Sequence, residues 1–164
     1  MKQWKRSGIW QKGFTLTEVI IVMAIAGTLM VIAVPNFIEW RRNVQYRTVA
    51  RDLASTLRYA QSSSVMNNRQ YRVQFETPAF GRYRVQQGDR MTAGGWLLAL
   101  DWHAVPLGMT LQPANLTVND SVDFNPNGTA SNAPTIDIIA TDATPSLRFR
   151  VQVENTGRIT IVKP

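Results

Sequence analysis

The chain has 164 residues, 18 Lys and Arg against 11 Asp and Glu, a net charge of +7 and 45% hydrophobic content, enough for one ordinary domain together with an apolar segment. It contains no Cys, which excludes a disulfide framework and any thiolate-ligated metal site. Lys2, Lys5, Arg6 and Lys12 all precede Phe14; without them 14 basic and 11 acidic side chains leave +3, so charge gives little weight to nucleic-acid binding.

The first element is the apolar run from Phe14 to Val34. As a helix it is about 31 Å long at ~1.5 Å per residue, which matches a hydrocarbon core of roughly 30 Å. Glu18 stands inside it, although a carboxylate at the centre of a membrane helix costs at least ~2.5–3.5 kcal/mol. Three readings compete. A secretory signal peptide would use the basic leader and the small residues "AIA" before Gly27 as a cleavage site. Against this, Glu18 interrupts the apolar region and "GTLMVIAV" continues past the cut. An uncut membrane anchor explains the length and leaves Glu18 a pure cost. Cleavage between Gly13 and Phe14 frees an ammonium four residues from Glu18, and a buried carboxylate is tolerated beside a positive partner. In the same helix the N-terminal dipole also favours the carboxylate. Between chains, the amine of one subunit would meet Glu18 of the next and set the register of helices packed in lipid.

"GFTLTE", then a long apolar run and Pro35, resembles the N-terminal segment of type IV pilins and pseudopilins. The resemblance implies cleavage after Gly13 by a prepilin peptidase, methylation of the new N-terminal Phe14, and pairing of Glu18 with a neighbouring subunit. It also implies a helix-kinking role for Pro35, which physically removes a helix hydrogen bond; a simple breaker at the membrane exit is the plainer reading. Gly27 is read as loosening the helix or permitting close packing. The partners implied are other pilins in a filament, the peptidase and methyltransferase, and inner-membrane lipid. Flanking charge does not settle orientation, because Arg41, Arg42, Arg47 and Arg51 follow the apolar run as the leader cations precede it. The resemblance is what places the C-terminal part outside the cytoplasm. Trp40 sits where an interfacial aromatic belongs.

Beyond Pro35 the helical pattern continues. Tyr46, Val49, Ala50, Leu53, Leu57, Ala60 and Ser64 recur as one face of a helix, with Arg47, Arg51 and Arg58 opposite. "NNRQ" supplies the stop, so one helix is expected from about Phe14 to Met66. From Gln70 the period becomes two. "YRVQFE" and "RYRVQQGD" read as a hairpin around "TPAFG". Strands follow around Trp96–Asp101 and Met109–Leu111. "NPNGTA" is a turn, "TIDIIATD" and "LRFRVQVE" are strands, and "RITIV" closes the chain after an "NTG" turn. The expected class is α+β, with the long helix covering one side of an antiparallel sheet. The expected segments are a leader over 1–13, a membrane segment over 14–34, an amphipathic half over 35–66 and the β domain over 67–164.

"VDFNPNGTA" and "RFRVQVENTGRITI" narrow the resemblance to pseudopilins of the GspH/FimT type, with a Phe-x-Pro-x-Gly turn and a C-terminal strand pair broken at a Gly-Arg turn. This implies a structural subunit of a type II secretion pseudopilus or a type IV pilus. One branch of the family binds DNA during uptake through a C-terminal Gly-Arg-x-Arg. Here the match reads Gly157-Arg158-Ile159-Thr160, so the second Arg is missing. Arg148, Arg150, Arg158 and Lys163 remain a candidate DNA-binding patch, with Arg148 and Arg150 expected on one strand face; the alternative is a solvated strand. No enzyme is expected. His103 is the one His, and "DWH" is read as structural. The Asp residues of "GDR" and "NDSVD" match no calcium loop, and neither a metal nor a cofactor is expected.

Overall fold

A computed structural model describes residues 13–76, 81–88, 95–114, 121–132, 134–140 and 146–163. The chain forms two compact units, Met1–Arg41 and Arg42–Pro164. The long helix α1 spans Leu16–Asn67, within a residue or two of the expected bounds.

In the first unit α1 is exposed almost throughout. Its most apolar window has a mean hydropathy of 2.4 with 0% of it buried, so this helix is long and apolar enough to cross a membrane. Two of its polar side chains bond along their own helix: Thr28 Oγ1 donates to Ile25 O at 2.8 Å and the Asn36 amide to Ile32 O at 3.3 Å. Such local bonding suits polar groups in a medium without water. The helix continues through Pro35, which has no N–H to offer Val31.

In the second unit the helix buries Tyr46, Val49, Ala50, Leu53, Ala54, Leu57, Ala60 and Ser64. These are the seven expected positions plus Ala54, which widens the stripe to the breadth a core-facing helix needs. The end is a Schellman cap. Asn68 adopts φ 51°, Arg69 N donates to Ser64 O and Asn68 N to Val65 O.

Among the described residues nine strands follow: β1 Tyr71–Phe75, β2 Arg82–Gln87, β3 Leu97–Ala104, β4 Met109–Ala114, β5 Ser121–Phe124, β6 Ala130–Ser131, β7 Thr135–Ala140, β8 Ser146–Val153 and β9 Ile159–Val162. β3 and β4 run further than the sequence suggests, and β6 has no sequence signal at all. The strands do not form one sheet. They form two antiparallel sheets, ordered β3-β2-β1-β5-β6 and β4-β7-β8-β9. Both turn apolar faces to one core, Val73, Phe75, Tyr83, Val85, Val122 and Phe124 from the first and Leu111, Ile136, Ile138 and Val151 from the second. The helix stripe belongs to that same core, and fully burying each such side chain stabilises by roughly 1.5–3 kcal/mol.

The two sheets and the helix are joined by their turns. Asn125-Pro126-Asn127-Gly128 closes with Gly128 N bonded to Asn125 O at 2.9 Å. The turn at 154–157 closes with Gly157 N bonded to Glu154 O at 2.8 Å, and Ala130 N donates to Asn155 O, linking the two turns. From the helix, Gln61 Nε2 donates to Gly128 O at 2.8 Å and Ser64 Oγ to Asn125 O at 3.0 Å. Gly157 has φ +84°, and a Cβ there would collide with Gln61 Nε2 and Gly128 O. Gly157→Ala is therefore expected to cost at least about 2 kcal/mol, a fall of roughly 4–8 °C in the unfolding midpoint of the detergent-solubilised chain. A midpoint within a degree of wild type would show that the junction yields without cost.

Candidate functional site

Gly13 and Phe14 precede the helix and are exposed, Phe14 at 80%. Thr15 is the helix N-cap: its Oγ1 accepts the backbone N–H of Glu18 at 3.2 Å, and Val19 N bonds to Thr15 O. "TLTE" thus places Thr at the cap and Glu at the third helical position, the spacing of a capping box. The sequence reading missed this local role, although the motif was readable. Glu18 is exposed within the chain, so its carboxylate is open to a partner outside this subunit. A Cβ added at Gly13 or Gly27 meets nothing within 4 Å. Of the expected leader over 1–13, residues 1–12 lie outside the described residues.

The basic patch is not the face that two-residue spacing predicts. Ile138 pairs with Phe149 and Ile139 with Leu147, so Arg148 is an extra residue bulged from β8. A bulge reverses the alternation of side chains beyond it. Arg150 lies opposite Asp137 in the ladder and donates to its two carboxylate oxygens from Nε and one terminal nitrogen, at 2.7 and 2.9 Å. That pairing raises the Arg150 pKa above its ordinary value, chiefly through the Asp137 hydrogen bond. Arg148 instead lies over the ring of buried Tyr46, 5.6 Å from its centroid. Its Nε is buried with no hydrogen-bond partner, an arrangement that costs ~1–3 kcal/mol when nothing accepts the proton. Arg158 and Lys163 are exposed. The four cations therefore do not form one open surface, because the bulge separates Arg148 from Arg150 and Asp137 neutralises the latter.

Elsewhere on the strands, arginines are engaged within the fold. Arg72 stacks on Trp96 at 4.1 Å and donates to Gln86 Oε1 at 2.7 Å. Arg84 stacks on Trp102 at 4.5 Å and binds Gln74. Burial pushes the Arg72 pKa down and the Asp123 carboxyl up, the latter opposed by the Ser121 hydroxyl and by Arg72. His103 packs its ring on Tyr83 at 5.2 Å, and the Tyr83 hydroxyl is pushed up to about 12 by burial. Tyr83 and His103 line a mainly apolar cavity of about 200 Å³ with Val44, Val49 and Asp52, and their rings meet at a tilt of 48°. Asp101 accepts the neighbouring Trp102 N–H. No cluster of three or more metal-ligating side chains occurs among the described residues. Of "GDR" only Gly88, and of "NDSVD" only Ser121 to Asp123, lie within them.

A helix carrying an exposed apolar N-terminal half and a Glu near its start, followed by a domain in which it backs antiparallel sheets, defines the pilin class. Residues 49–157 match the family model described as type II transport protein GspH, and residues 11–34 match the prokaryotic N-terminal methylation motif. The chain belongs to this GspH family. The minor pseudopilin EpsH from the type II secretion system of Vibrio cholerae is similar in structure, with a TM-score of 0.60 and 12% identity over 73% of this chain and 96% of that one. The type IV minor pilin FimU of Pseudomonas aeruginosa PAO1 superposes with a TM-score of 0.57 and 18% identity, over 75% and 92% respectively. At these identities the likeness is one of fold. No curated protein matches the sequence.

Proposed function

We propose that this chain is a structural subunit of a type II secretion pseudopilus or type IV pilus, anchored in the inner membrane by residues 14–34 with the rest outside the cytoplasm. In this reading residues 1–13 are removed by a prepilin peptidase, Phe14 is methylated, and Pro35 bends the helix between its membrane segment and its amphipathic half over residues 35–66. Residues 67–164 then form the presented β domain. The activity is assembly, and the chemistry belongs to the processing enzymes.

The observation that carries the reading is the exposed apolar helix half with one carboxylate in its first turn. Lipid accounts for the apolar surface, since a helix bonds its backbone groups within itself, here interrupted at Pro35. Lipid does not account for Glu18, whereas the free amine of a neighbouring processed chain does. The filament reading is tested by solubilising membranes from cells expressing the tagged full chain and isolating it with its neighbours after crosslinking. Recovery of a secretion-type or a pilus-type major subunit is expected and distinguishes the two systems; recovery of the chain alone at every crosslinker length overturns filament assembly. DNA binding is not adopted, because the bulge and the Asp137 pairing divide the cations on which it would rest.

A further inference from the structure

We propose that the cavity bounded by the β8 bulge, Lys163 and Asn43 binds a phosphate-type oxyanion. The cavity is about 240 Å³ and is lined by Asn43, Leu147, Arg148, Phe149 and Lys163. Among the described residues its lining thus holds two cations, one amide and no carboxylate.

Its construction is unusual for a strand. Val151 and Val153 are buried and Phe149 packs against the core, so odd positions of β8 face inward. Regular alternation would leave Arg148 outside with Arg150. The extra residue at Arg148 turns it inward instead, over Tyr46. Bulges commonly re-aim one side chain at the expense of ladder pairing. Lys163 follows β9, whose Val162 pairs with Arg150; it is exposed and lines the rim of the hollow next to Phe149. Two positive side chains are brought to the same hollow from adjacent strands.

The Nε of Arg148 is buried there without an acceptor. A guanidinium presents five donors in a fixed fork suited to phosphate, and Lys adds a mobile point charge. Asn43 contributes an amide donor. An oxyanion would accept from the guanidinium and balance both charges, which an apolar or cationic ligand could not. The same chemistry is available from an anionic phospholipid headgroup or from free phosphate. The headgroup source rests on the membrane-anchored reading above, and the free ion does not.

The test uses the full chain with isotope-labelled arginine in a maltoside detergent, following the Arg148 Nε–H resonance, assigned by its disappearance in Arg148→Lys. Inorganic phosphate is expected to move it saturably, and sodium chloride at matched ionic strength to leave it in place. Lys163→Gln, at an exposed position, should weaken the response about tenfold, or ~1.4 kcal/mol. Bicelles with phosphatidylglycerol distinguish the sources: a saturable shift absent from phosphatidylcholine bicelles identifies the headgroup, and a response to phosphate alone identifies the soluble ion. Absence of any shift, the same shift with chloride, or an unchanged affinity in Lys163→Gln overturns the site. A shift produced by single-stranded DNA but by neither phosphate nor lipid also overturns it, in favour of an extended polyanion surface.

Discussion

Glu18→Ala is expected to leave processing and membrane insertion largely intact while reducing co-isolation with neighbouring pilins by at least roughly tenfold. Removing a charge from an apolar helix eases insertion. Assembly suffers because the partner's Phe14 amine is left in lipid without a counter-charge, and breaking one side of a buried ion pair costs ~3–5 kcal/mol. The capping geometry makes a second substitution decisive. Glu18 sits three residues after the cap Thr15, where Gln serves a capping box nearly as well as Glu. If the helix start were the whole reason for the residue, Glu18→Gln would assemble like wild type. If the counter-charge is the reason, Glu18→Gln remains defective, intermediate or as impaired as Ala. The measurement is crosslinked yield per unit of membrane-inserted subunit for all three proteins. Normal assembly of Glu18→Ala would sink the registry role.

The second large effect concerns Gly13. Gly13→Val is expected to abolish processing, with the N-terminus found at Met1 rather than Phe14, and Gly13→Ala to process partly or poorly. A peptidase needs close access to the backbone before Phe14, and any side chain restricts it. The fold offers no competing explanation, since a Cβ at Gly13 meets nothing within 4 Å; loss of cleavage would therefore report on the processing enzyme. Mass spectrometry of the membrane-extracted chain reads the outcome directly, including an added methyl group on Phe14 in the wild type. A wild-type N-terminus at Gly27 would establish ordinary signal-peptide cleavage and overturn the scheme.

The local elements were legible because their signals are local. The stripe from Tyr46 to Ser64 repeats at helical spacing, and the buried face follows it. "YRVQF" alternates, and its strand buries alternate residues. "NNRQ" ends the helix through Asn68, which tolerates the left-handed conformation. The candidate assembly residues were equally visible, because a Gly, a Phe and a Glu at fixed offsets before an apolar run need no distant partner to be noticed. Thr15 was visible too, since Thr three residues before Glu ahead of an apolar run is the spacing of a capping box.

By itself, then, the sequence determined an N-terminal apolar helix with a carboxylate in its first turn, an amphipathic continuation, and a strand-rich remainder. Each follows from periodicity or spacing within one segment. The tertiary structure alone decided that the strands divide into two sheets sharing one core. It also decided that two turns dock on the helix through Gln61 and Gly128, 67 residues apart. The side of β8 on which Arg148 lies was settled the same way. A bulge has no sequence period: it lies where pairing with β7 slips by one residue, between Ile138 opposite Phe149 and Ile139 opposite Leu147. That slip turned an expected row of cations into one arginine neutralised by Asp137 and another directed inward over Tyr46.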